Sequence, residues 1–422
     1  MPPSPPHEHE VDPLREGWRI HGAFYDLQPF IHHHPGGSQL LLSVRGTDDL
    51  TAIFESSHAF ASRSRIERVM AKYRVGACEP SSLRFPDDSF YRDVIQRVRA
   101  ALPNGVRATP WWCVKASLLV ALWASCFLYA FLAAEYASLT YRCAIALIAG
   151  HVHMAIGFVV MHDASHSAIS SSPRINFALS WFWNTLSCWD YRLWHKHHVF
   201  RHHSFTGDTL RDPDTVHLTP FLRKHLHSGK RPIALSRMAP FTSAVLFVSL
   251  LPGMFVGQSI SYARWWMRGR LWRMDVVKSA SLDIGACVLR CLLILLYAYQ
   301  PHVALAYLSA VNATYSICIL PDHDSEGTRA SAKVASRDWG EEQVRNSANF
   351  ATRNPLVCAL YGGINFQIEH HLFPTLCHVH YPTIQPVVRE ACREYGIPYN
   401  DYPTVASAYL SALRVIAEAT VA

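Results

Sequence analysis

The sequence predicts a mainly α-helical membrane protein with a small α+β domain at its N-terminus. Half of the 422 residues are apolar and only 17% are charged, and 12 Trp and 18 Tyr are available for membrane interfaces. Two pairs of long apolar runs predict four transmembrane helices in two hairpins, with a helical cap on the cytosolic side. The formal charge of +7 suits a cytosolic membrane surface. Since no basic stripe with interleaved aromatic residues stands apart from the apolar segments, we expect no nucleic acid partner.

The N-terminal residues MPPSPPHEHEVDP are polar and Pro-rich, and they lack the apolar core of a signal peptide. We therefore expect the N-terminus to stay in the cytosol. The 11 cysteines form no CxxC motif, and many of them lie in apolar runs. We expect reduced packing residues, and neither a disulfide framework nor a zinc site.

Residues 14–78 are polar and mixed in composition, which predicts a separate soluble domain. His34 is the first residue of an HPGG turn, and His58 comes 24 residues after it. The turn fixes the imidazole at the end of a loop, and its glycines let the backbone approach something flat. Two histidines on opposing loops can clamp a haem iron axially.

The HPGG motif, the second histidine at this separation and a short helix at residues 64–73 together resemble the cytochrome b5 domain. The resemblance implies a domain that binds haem b and carries single electrons, with His34 and His58 as the axial ligands. His32 and His33 have no role in that family, and we expect them to be exposed.

Residues 79–110 are rich in proline and charge and contain one amphipathic piece, residues 91–102. They predict a linker and a helix lying on the membrane or on the next domain. We expect residues 111–422 to form the membrane domain. Its first two apolar runs, at 116–134 and 143–161, match the length of ~20 residues that a helix needs to span a bilayer.

Residues 177–189 are too short and too rich in Trp to span comfortably, and they predict an interfacial helix. Three further apolar runs follow, at 241–262, 283–299 and 303–320. If all three crossed the membrane, His323 would lie opposite the histidines that precede them. We therefore predict that residues 241–262 are re-entrant or interfacial, and that the other two runs form the second hairpin.

The segment YRLWHKHHVFRHHSFTGDTLRDPD, residues 191–214, contains five histidines within nine residues and closes with Asp212 and Asp214. On a helix, His198 and His202 share one face and His203 lies beside them. Neutral imidazole is the commonest metal ligand in proteins, and this density indicates a site for more than one metal ion.

Two other groups of histidines lie near the ends of predicted membrane helices. His162 and His166 are four residues apart, and Asp163 between them is able to orient a ligand. Gln367 and His371 share a helical face.

Further histidines have weaker signals. His370 is adjacent to His371, and His323 lies at the mouth of the last predicted crossing. We expect His378 and His380 to line the site or to form hydrogen bonds within it. Two histidines inside the second apolar run, at positions 151 and 153, are expected to be packed and hydrogen-bonded.

Together these groups offer seven imidazoles, or eight with His323. So many nitrogen ligands suit iron or another transition metal better than calcium or magnesium, and a lone zinc site needs only about three or four. Two iron ions that activate dioxygen beside a lipid-embedded cavity can remove hydrogen from an unactivated alkyl C–H bond, which no side chain achieves by acid–base chemistry. Such a reaction consumes electrons, which a fused haem domain supplies.

The motifs HDASH, HVFRHH and QIEHHLFP resemble those of the membrane fatty acyl desaturases, and in particular the front-end group with an N-terminal cytochrome b5 domain. The resemblance extends from about residue 15 to about residue 400 and includes DWGEEQV and GGINF. It implies four spanning helices, a cytosolic di-iron site and removal of two hydrogens between an existing double bond and the carboxyl end of an acyl chain. The implied ligands are His162, His166, His198, His202, His203, His323, Gln367, His370 and His371.

Three positions depart from the family pattern or match it only loosely. The middle motif carries extra histidines at positions 195 and 197, so its first ligand is one of three, of which we prefer His198. His323 matches the family's single intervening histidine by position only. Gln367 replaces a histidine and is expected to bind metal weakly or through water.

The sequence thus predicts a front-end acyl desaturase of the endoplasmic reticulum membrane, with both termini cytosolic and no catalytic residue beyond the metal site. Dioxygen is the expected oxidant, and electrons are expected from NAD(P)H through cytochrome b5 reductase and the haem. The expected substrate is a fatty acyl-CoA or acyl-lipid. A hydroxylase or sphingoid-base desaturase with the same di-iron site is the nearest alternative. A membrane haem carrier or lipid-binding protein without non-haem iron is a more distant one.

Overall fold

The computed structural model describes residues 17–46, 49–133, 136–215, 280–332 and 338–421, together with residues 267, 270, 271, 274, 275 and 336. Within these residues the protein is mainly helical, with a small sheet near the N-terminus, which confirms the predicted fold class. The predicted re-entrant run at 241–262 lies outside the described residues.

The N-terminal domain is built on a three-stranded antiparallel sheet. Its strands are β1 (Trp18–Ile20), β2 (Ala23–Tyr25) and β3 (Arg74–Ala77), in that order. Trp18 and Ile20 point into its core from β1, in the alternation expected of a strand with one buried face. Phe200, from the histidine-rich segment, belongs to the same apolar cluster, so this domain packs directly against the rest of the protein. The helices of the domain are α1 (Ser38–Ser43), α2 (Thr51–Ser57) and α3 (Arg63–Met70).

The predicted amphipathic helix forms α4, at Phe90–Ala101. Its buried face includes Tyr91, Val94 and Val98, at the spacing of one helical stripe. These side chains share an apolar cluster with Trp339 of the C-terminal region. The helix therefore lies on the next domain, which is one of the two placements that the sequence leaves open.

The first hairpin consists of α5 (Pro110–Leu132) and α6 (Leu139–Ile156), and α6 continues through a π-helical turn at Gly157–His162. The predicted run at 116–134 begins six residues too late, because Thr109 caps α5 by accepting a hydrogen bond from the Trp112 amide. Of the apolar window in the second helix, 67% is buried within the protein, against 22% in α5, so α6 is the inner helix of the pair.

The helix α7, at Pro173–Leu186, occupies the place of the predicted interfacial segment. Its 14 residues are too few to span a bilayer, and it packs against the π-helical turn of α6. A short helix, α8 (Tyr191–Trp194), then continues as a π-helix through His195–His202.

The second hairpin consists of α9 (Ala280–Tyr299) and α10 (Pro301–His323), and α10 packs along α6. Its turn falls at Gln300, as predicted. The described residues thus contain four helices long and apolar enough to cross a membrane, in agreement with the predicted number. The last helix is longer than predicted and carries His323 at its final position.

The C-terminal region forms a cap of short helices over one end of the hairpins. A two-residue parallel strand pair, Asn349–Phe350 with Asp401–Tyr402, ties its two halves together. The helix Tyr381–Tyr395 packs against α4 in the apolar cluster around Trp339. The helices of the cap are α11 (Glu326–Ser331), α12 (Trp339–Arg345), α13 (Pro355–Leu360), α14 (Gln367–Leu372), α15 (Tyr381–Tyr395) and α16 (Val405–Val421).

Candidate metal centre

The first histidine motif lies at the end of α6, where the winding changes from α to π. The rings of His162 and His166 are 4.9 Å apart between centroids, and both side chains are buried. Nε2 of His162 lies 3.0 Å from Nε2 of His198, which brings the first motif directly onto the middle one.

The middle motif is π-helical, with backbone hydrogen bonds from i to i+5, whereas the sequence predicts an ordinary helix. Residues five apart share a face in this winding, and Nε2 of His203 accordingly lies 3.3 Å from Nε2 of His198. His202 projects toward the neighbouring His323, with their Nε2 atoms 3.2 Å apart. Single π-helical turns occur frequently at functional sites, and here the turn lets one segment supply three imidazoles.

The third motif lies on α14, whose six side chains are all buried. Asn349 holds this helix at its start, because its Oδ1 accepts from the Ile368 amide at 2.9 Å and its Nδ2 donates to Glu369 at 2.8 Å. The rings of His162 and His370 are 4.4 Å apart between centroids. The third motif therefore closes the site from the side of the cap.

Eight imidazoles and one amide converge on this site in two groups. Within each group the ligand nitrogen atoms of the histidines lie within 4.8 Å of one another. His203 is within that distance of His370 and His371 and so joins the two groups. The first group contains His162, His166, His198 and His370, and the second contains His202, His323 and His371, with Gln367 beside them.

Hydrogen bonds from the Nδ1 atoms orient the imidazole rings of the cluster. Nδ1 of His202 donates to Asp212 at 3.1 Å, and Nδ1 of His323 donates to the Asn346 carbonyl at 2.7 Å. A proton held on Nδ1 leaves the Nε2 lone pair facing the site, which is how metal-binding histidines are usually oriented.

The same arrangement supports the third motif. Nδ1 of His371 donates to Oε1 of Gln343 at 2.9 Å, and Nδ1 of His370 lies 3.2 Å from the Tyr381 hydroxyl. Both partners are buried, so the rings are held in place by packed side chains.

The chemistry of this donor set fits transition metal ions. Burial lowers the pKa of His198, His203, His370 and His371 well below the ordinary value, so these rings are neutral near pH 7. Among the described residues, Nε2 of His370 and Nε2 of His166 have no hydrogen-bond partner although they are buried. Buried ring nitrogens that face one another without donors are costly unless a cation lies between them.

The middle motif offers three candidate histidines, and the structure places only one of them in the group. His198 stacks on Trp194, with centroids 4.4 Å apart, and faces His162. His197 turns away to pair with Asp214, and His195 lines a cleft toward the N-terminal domain.

Four other histidines lie outside the cluster. Nδ1 of His378 donates to Asp163 at 2.7 Å, so this carboxylate orients a histidine that is not in the cluster, which differs from its expected role beside a ligand. His380 bonds to the Arg107 carbonyl at 2.8 Å. His151 contacts Thr314, and His153 contacts Ser187 and Tyr307; both are packed and hydrogen-bonded as expected.

The N-terminal domain forms a second candidate site. The rings of His34 and His58 face each other with centroids 6.2 Å apart, which admits one metal ion bonded at about 2 Å to a nitrogen of each ring. Nδ1 of His34 donates to the Gly37 carbonyl, and Nδ1 of His58 donates to the Phe54 carbonyl, so both Nε2 atoms are available. Burial lowers the pKa of His34 to about 4 and also lowers that of His58.

The HPGG turn allows this arrangement because a Cβ on Gly36 would lie 2.8 Å from Cε1 of His34. His32 and His33, by contrast, are exposed as expected. The residues present therefore fit a haem with two axial histidines.

A small cavity of about 30 Å³ lies beside the histidine cluster. Half of its lining residues are apolar or aromatic, and the others include His162, His198 and Gln367 of the cluster. The apolar and aromatic lining residues are Met154, Phe158, Met161, Trp189, Trp194, Tyr315, Ile319 and Ile364.

Comparison with known families assigns both parts of the chain. A model of the fatty acid desaturase family matches residues 138–403. The chain belongs to that family. A model of the cytochrome b5-like haem/steroid binding domain matches residues 8–79, so this desaturase carries a fused domain that implies haem, just as the desaturase family implies iron. Together they imply a membrane enzyme with a lipid substrate and an electron-transfer partner.

Known relatives resemble this desaturase along most of its length. It is 26% identical over 417 residues to an acyl-lipid (8-3)-desaturase of Physcomitrium patens, covering 91% of this chain and 84% of the relative. It is 29% identical over 408 residues to a chloroplastic acyl-lipid (7-3)-desaturase of Chlamydomonas reinhardtii, covering 91% and 77%. An acyl-lipid (8-3)-desaturase of Mortierella alpina is 26% identical over 427 residues, covering 94% and 92%.

Sequence reasoning misses the residues that orient the rings of this desaturase. Gln343 and Tyr381 contact histidines of the cluster that are 28 and 11 residues away, so no local spacing indicates them. Asp212 is an acidic residue that closes the middle motif, and its position ten residues after His202 is the one available signal.

Proposed function

We propose that this desaturase is a front-end enzyme, which inserts a double bond between an existing double bond and the carboxyl end of a polyunsaturated acyl chain. The observation that carries the proposal is the convergence of eight imidazoles beside the ends of helices that are long and apolar enough to cross a membrane. The relatives named acyl-lipid (8-3)- and (7-3)-desaturases support desaturation of an acyl lipid.

The proposed ligands form two sets with a shared neighbour. The first ion would be held by the group around His162 and His370, and the second by the group around His202 and His371, with His203 between them. Gln367 belongs to the second set. The full set is His162, His166, His198, His202, His203, His323, Gln367, His370 and His371, and the haem would be held by His34 and His58.

Two non-haem iron ions in these positions supply dioxygen activation, which is the chemistry needed to break an unactivated C–H bond. The protein's own residues hold the rings neutral by burial and fix their direction through hydrogen bonds from Nδ1. The overall reaction converts one –CH2–CH2– unit, O2, two electrons and two protons into one –CH=CH– unit and two waters.

The wider setting of this activity is also part of the proposal. Residues 14–78 form the haem domain, 79–110 the linker with its helix, and 111–422 the membrane domain. The four helices cross the endoplasmic reticulum membrane with both termini in the cytosol, which puts every histidine motif on the cytosolic side. Electrons come from NAD(P)H through cytochrome b5 reductase, and the substrate is a fatty acyl-CoA or acyl-lipid.

A lipid profile tests the proposal. A host expressing the chain would be fed a panel of polyunsaturated fatty acids, and its acyl chains and sphingoid bases would be analysed by mass spectrometry. We expect a new double bond on the carboxyl side of an existing one. A hydroxylated acyl chain or an altered sphingoid base would contradict the front-end assignment.

Two variants separate the metal chemistry from the haem. We expect His370→Ala and His198→Ala each to abolish the new product and to leave the haem absorption spectrum intact. His380→Ala is the matched control, since His380 bonds only to the Arg107 carbonyl among the contacts described and lies outside the cluster. A His198→Ala variant that still desaturates would move the ligand role to His195 or His197.

A further inference from the structure

Helix α4 lies between the haem domain and the metal centre and contacts both with adjacent residues. The Tyr91 amide donates to Oδ2 of Asp338 at 2.9 Å, and the Tyr91 hydroxyl donates to the Leu372 carbonyl at 3.1 Å. Leu372 immediately follows His371. The helix is therefore anchored to the segment that carries the third histidine motif.

The next residue, Arg92, reaches the opposite way into the haem domain. Its two terminal nitrogens donate to the two carboxylate oxygens of Glu55 at 2.8 and 2.9 Å. Both side chains are largely buried, with 13% and 12% of their surface exposed. A bidentate pair of this kind fixes orientation as well as distance, and Glu55 lies three residues before His58.

Arg99, near the end of α4, makes a second contact with the same segment. One terminal nitrogen of Arg99 donates to the Ala59 carbonyl at 2.6 Å and to the Ala61 carbonyl at 2.8 Å. Arg92 and Arg99 thus hold the chain on both sides of His58. The contacts of Arg92 and Arg99 are therefore concentrated around one proposed haem ligand.

The two segments that α4 holds also touch each other. The rings of Phe60 and Phe373 lie 5.4 Å apart between centroids. Phe60 is two residues after His58, and Phe373 is two residues after His371. One aromatic contact therefore joins two short stretches of covalent chain that end at a proposed haem ligand and a proposed metal ligand.

The other side of the haem domain is arranged differently. A cleft of about 620 Å³ separates the loop around His34 from the residues around His195 and Lys196. The His34 loop does approach the rest of the chain beside this cleft, at Gly37 and Pro173, but the bidentate ion pair and the contact between the Phe60 and Phe373 rings lie on the His58 side.

We propose that Arg92 and Phe60 are positioning residues for electron transfer within one chain, and that they hold His58 and His371 at a fixed separation across the Phe60–Phe373 contact. This inference rests on the proposed function. Each double bond requires two electrons from the reductase. Because a b-type haem carries one electron at a time, it is reduced by one electron and oxidised again twice for each double bond. The two hydrogens removed from the acyl chain, the two protons and O2 leave as two waters.

Single-turnover oxidation of the haem tests the inference. The full-length protein in lipid nanodiscs would be reduced without oxygen and then mixed with O2 and the acyl substrate found in the lipid profile, while haem absorbance is recorded. In the unmodified protein we expect a first-order rate that does not change with protein concentration. We expect Arg92→Glu to slow this oxidation by at least about tenfold, since breaking a buried pair depopulates the docked arrangement.

Rescue separates positioning from folding. The exchange variant Arg92→Glu/Glu55→Arg restores the pair with its charges reversed and is expected to recover the rate to within about threefold. Phe60→Leu retains the apolar contact without the ring, and we expect slower oxidation with an unchanged haem spectrum. The matched controls are Arg97→Glu, on the same helix but paired with Asp93 and Glu394, and Phe90→Leu, whose ring contacts Tyr395.

The outcomes are distinct. If Arg92→Glu and Phe60→Leu oxidise the haem as fast as Arg97→Glu and Phe90→Leu do, the positioning role is wrong even though the enzyme desaturates. A rate that rises in proportion to protein concentration in the unmodified chain would also overturn it, because electrons would then pass between molecules. If the unmodified chain forms no desaturated product at all, the proposed function itself fails.

Discussion

The amide nitrogen of Gln367 lies 2.9 Å from Nε2 of His323, although the two residues are 44 positions apart in the chain. Gln367 stands where the third motif of the family has a histidine. His323 matches the family's single intervening histidine by position only. Both side chains enter the same group of the cluster, next to His371. An amide is a weaker metal ligand than imidazole, so the two groups of the cluster are chemically unequal.

Loss of a ring-orienting partner should weaken metal binding without removing a ligand. Gln343→Met keeps most of the side-chain volume but removes the oxygen that accepts from His371 Nδ1. We expect metal affinity or activity to fall by about 10–100-fold. The measurement is iron per chain by elemental analysis, together with product formation. Gln385→Met, on α15, is the control, and equal iron content in the two variants would argue against an orienting role.

Haem binding and the binding of non-haem iron should depend on different histidines. His34→Ala removes one of two facing imidazoles, and we expect loss of the haem spectrum while about two non-haem irons per chain remain. His33→Ala changes the adjacent exposed histidine and should leave the haem in place. Absorbance and elemental analysis measure the two metals independently. Haem retained by His34→Ala would mean that another residue completes the clamp.

The Glu55 carboxylate should make the stability of the haem domain depend on pH. Burial opposes its ionisation, but hydrogen bonds and charge from His21 and Arg92 outweigh burial and lower its pKa from 4.5 to about 2. A lowered pKa stabilises the folded state above the unfolded value, and this contribution is lost as the pH falls from about 4.5 toward about 2. We expect Glu55→Gln to cost about 3 kcal/mol near pH 7.

Haem release during thermal unfolding, measured from pH 7 to pH 3, checks this dependence. The difference between Glu55→Gln and the unmodified protein should shrink as the pH falls. Glu67→Gln removes an exposed pair with Arg63 and should change stability by less than about 1 kcal/mol at any pH. A difference that stays constant with pH would show that the ionised form of Glu55 is not what stabilises the domain.

Close backbone packing beside the cluster should not tolerate a methyl group. Gly362 has φ of +56°, and an added Cβ would lie 2.6 Å from the backbone of Phe158 and Val159, in the turn that leads to His162. We expect Gly362→Ala to cost about 3 kcal/mol through strain and overpacking, and to lower iron content. Gly396→Ala shares the positive φ, at +69°, but meets no atom within 4 Å among the described residues, so only the strain remains. Similar thermal midpoints for the two variants would contradict the packing argument.

Much of the fold follows from local features of the chain. The apolar runs predict the two hairpins because crossing a bilayer depends on length and hydropathy, which are read along the chain. The HPGG turn and His58 predict a facing pair because each lies in its own short motif. Boundaries are less accurate, as at α5, where Thr109 and Pro110 begin the helix ahead of the apolar run.

The middle motif shows where local patterns stop being informative. Ordinary helical periodicity groups His198 with His202, and it leaves His195 and His197 as open alternatives. The π-helical winding changes which residues share a face, and the contact with His162 on another helix selects His198. Neither effect is encoded in the spacing of the motif alone.

The sequence by itself determined the donor types, the two pairs of spanning helices and the pairing of a haem domain with a histidine-rich membrane domain. Only the tertiary structure decided which ring nitrogens converge, which partners such as Gln343 orient them, and how Arg92 fixes the haem domain to the metal centre. The physical reason is that hydropathy and motif spacing act between near neighbours. The geometry of a metal site depends on side chains brought together from distant segments by packing.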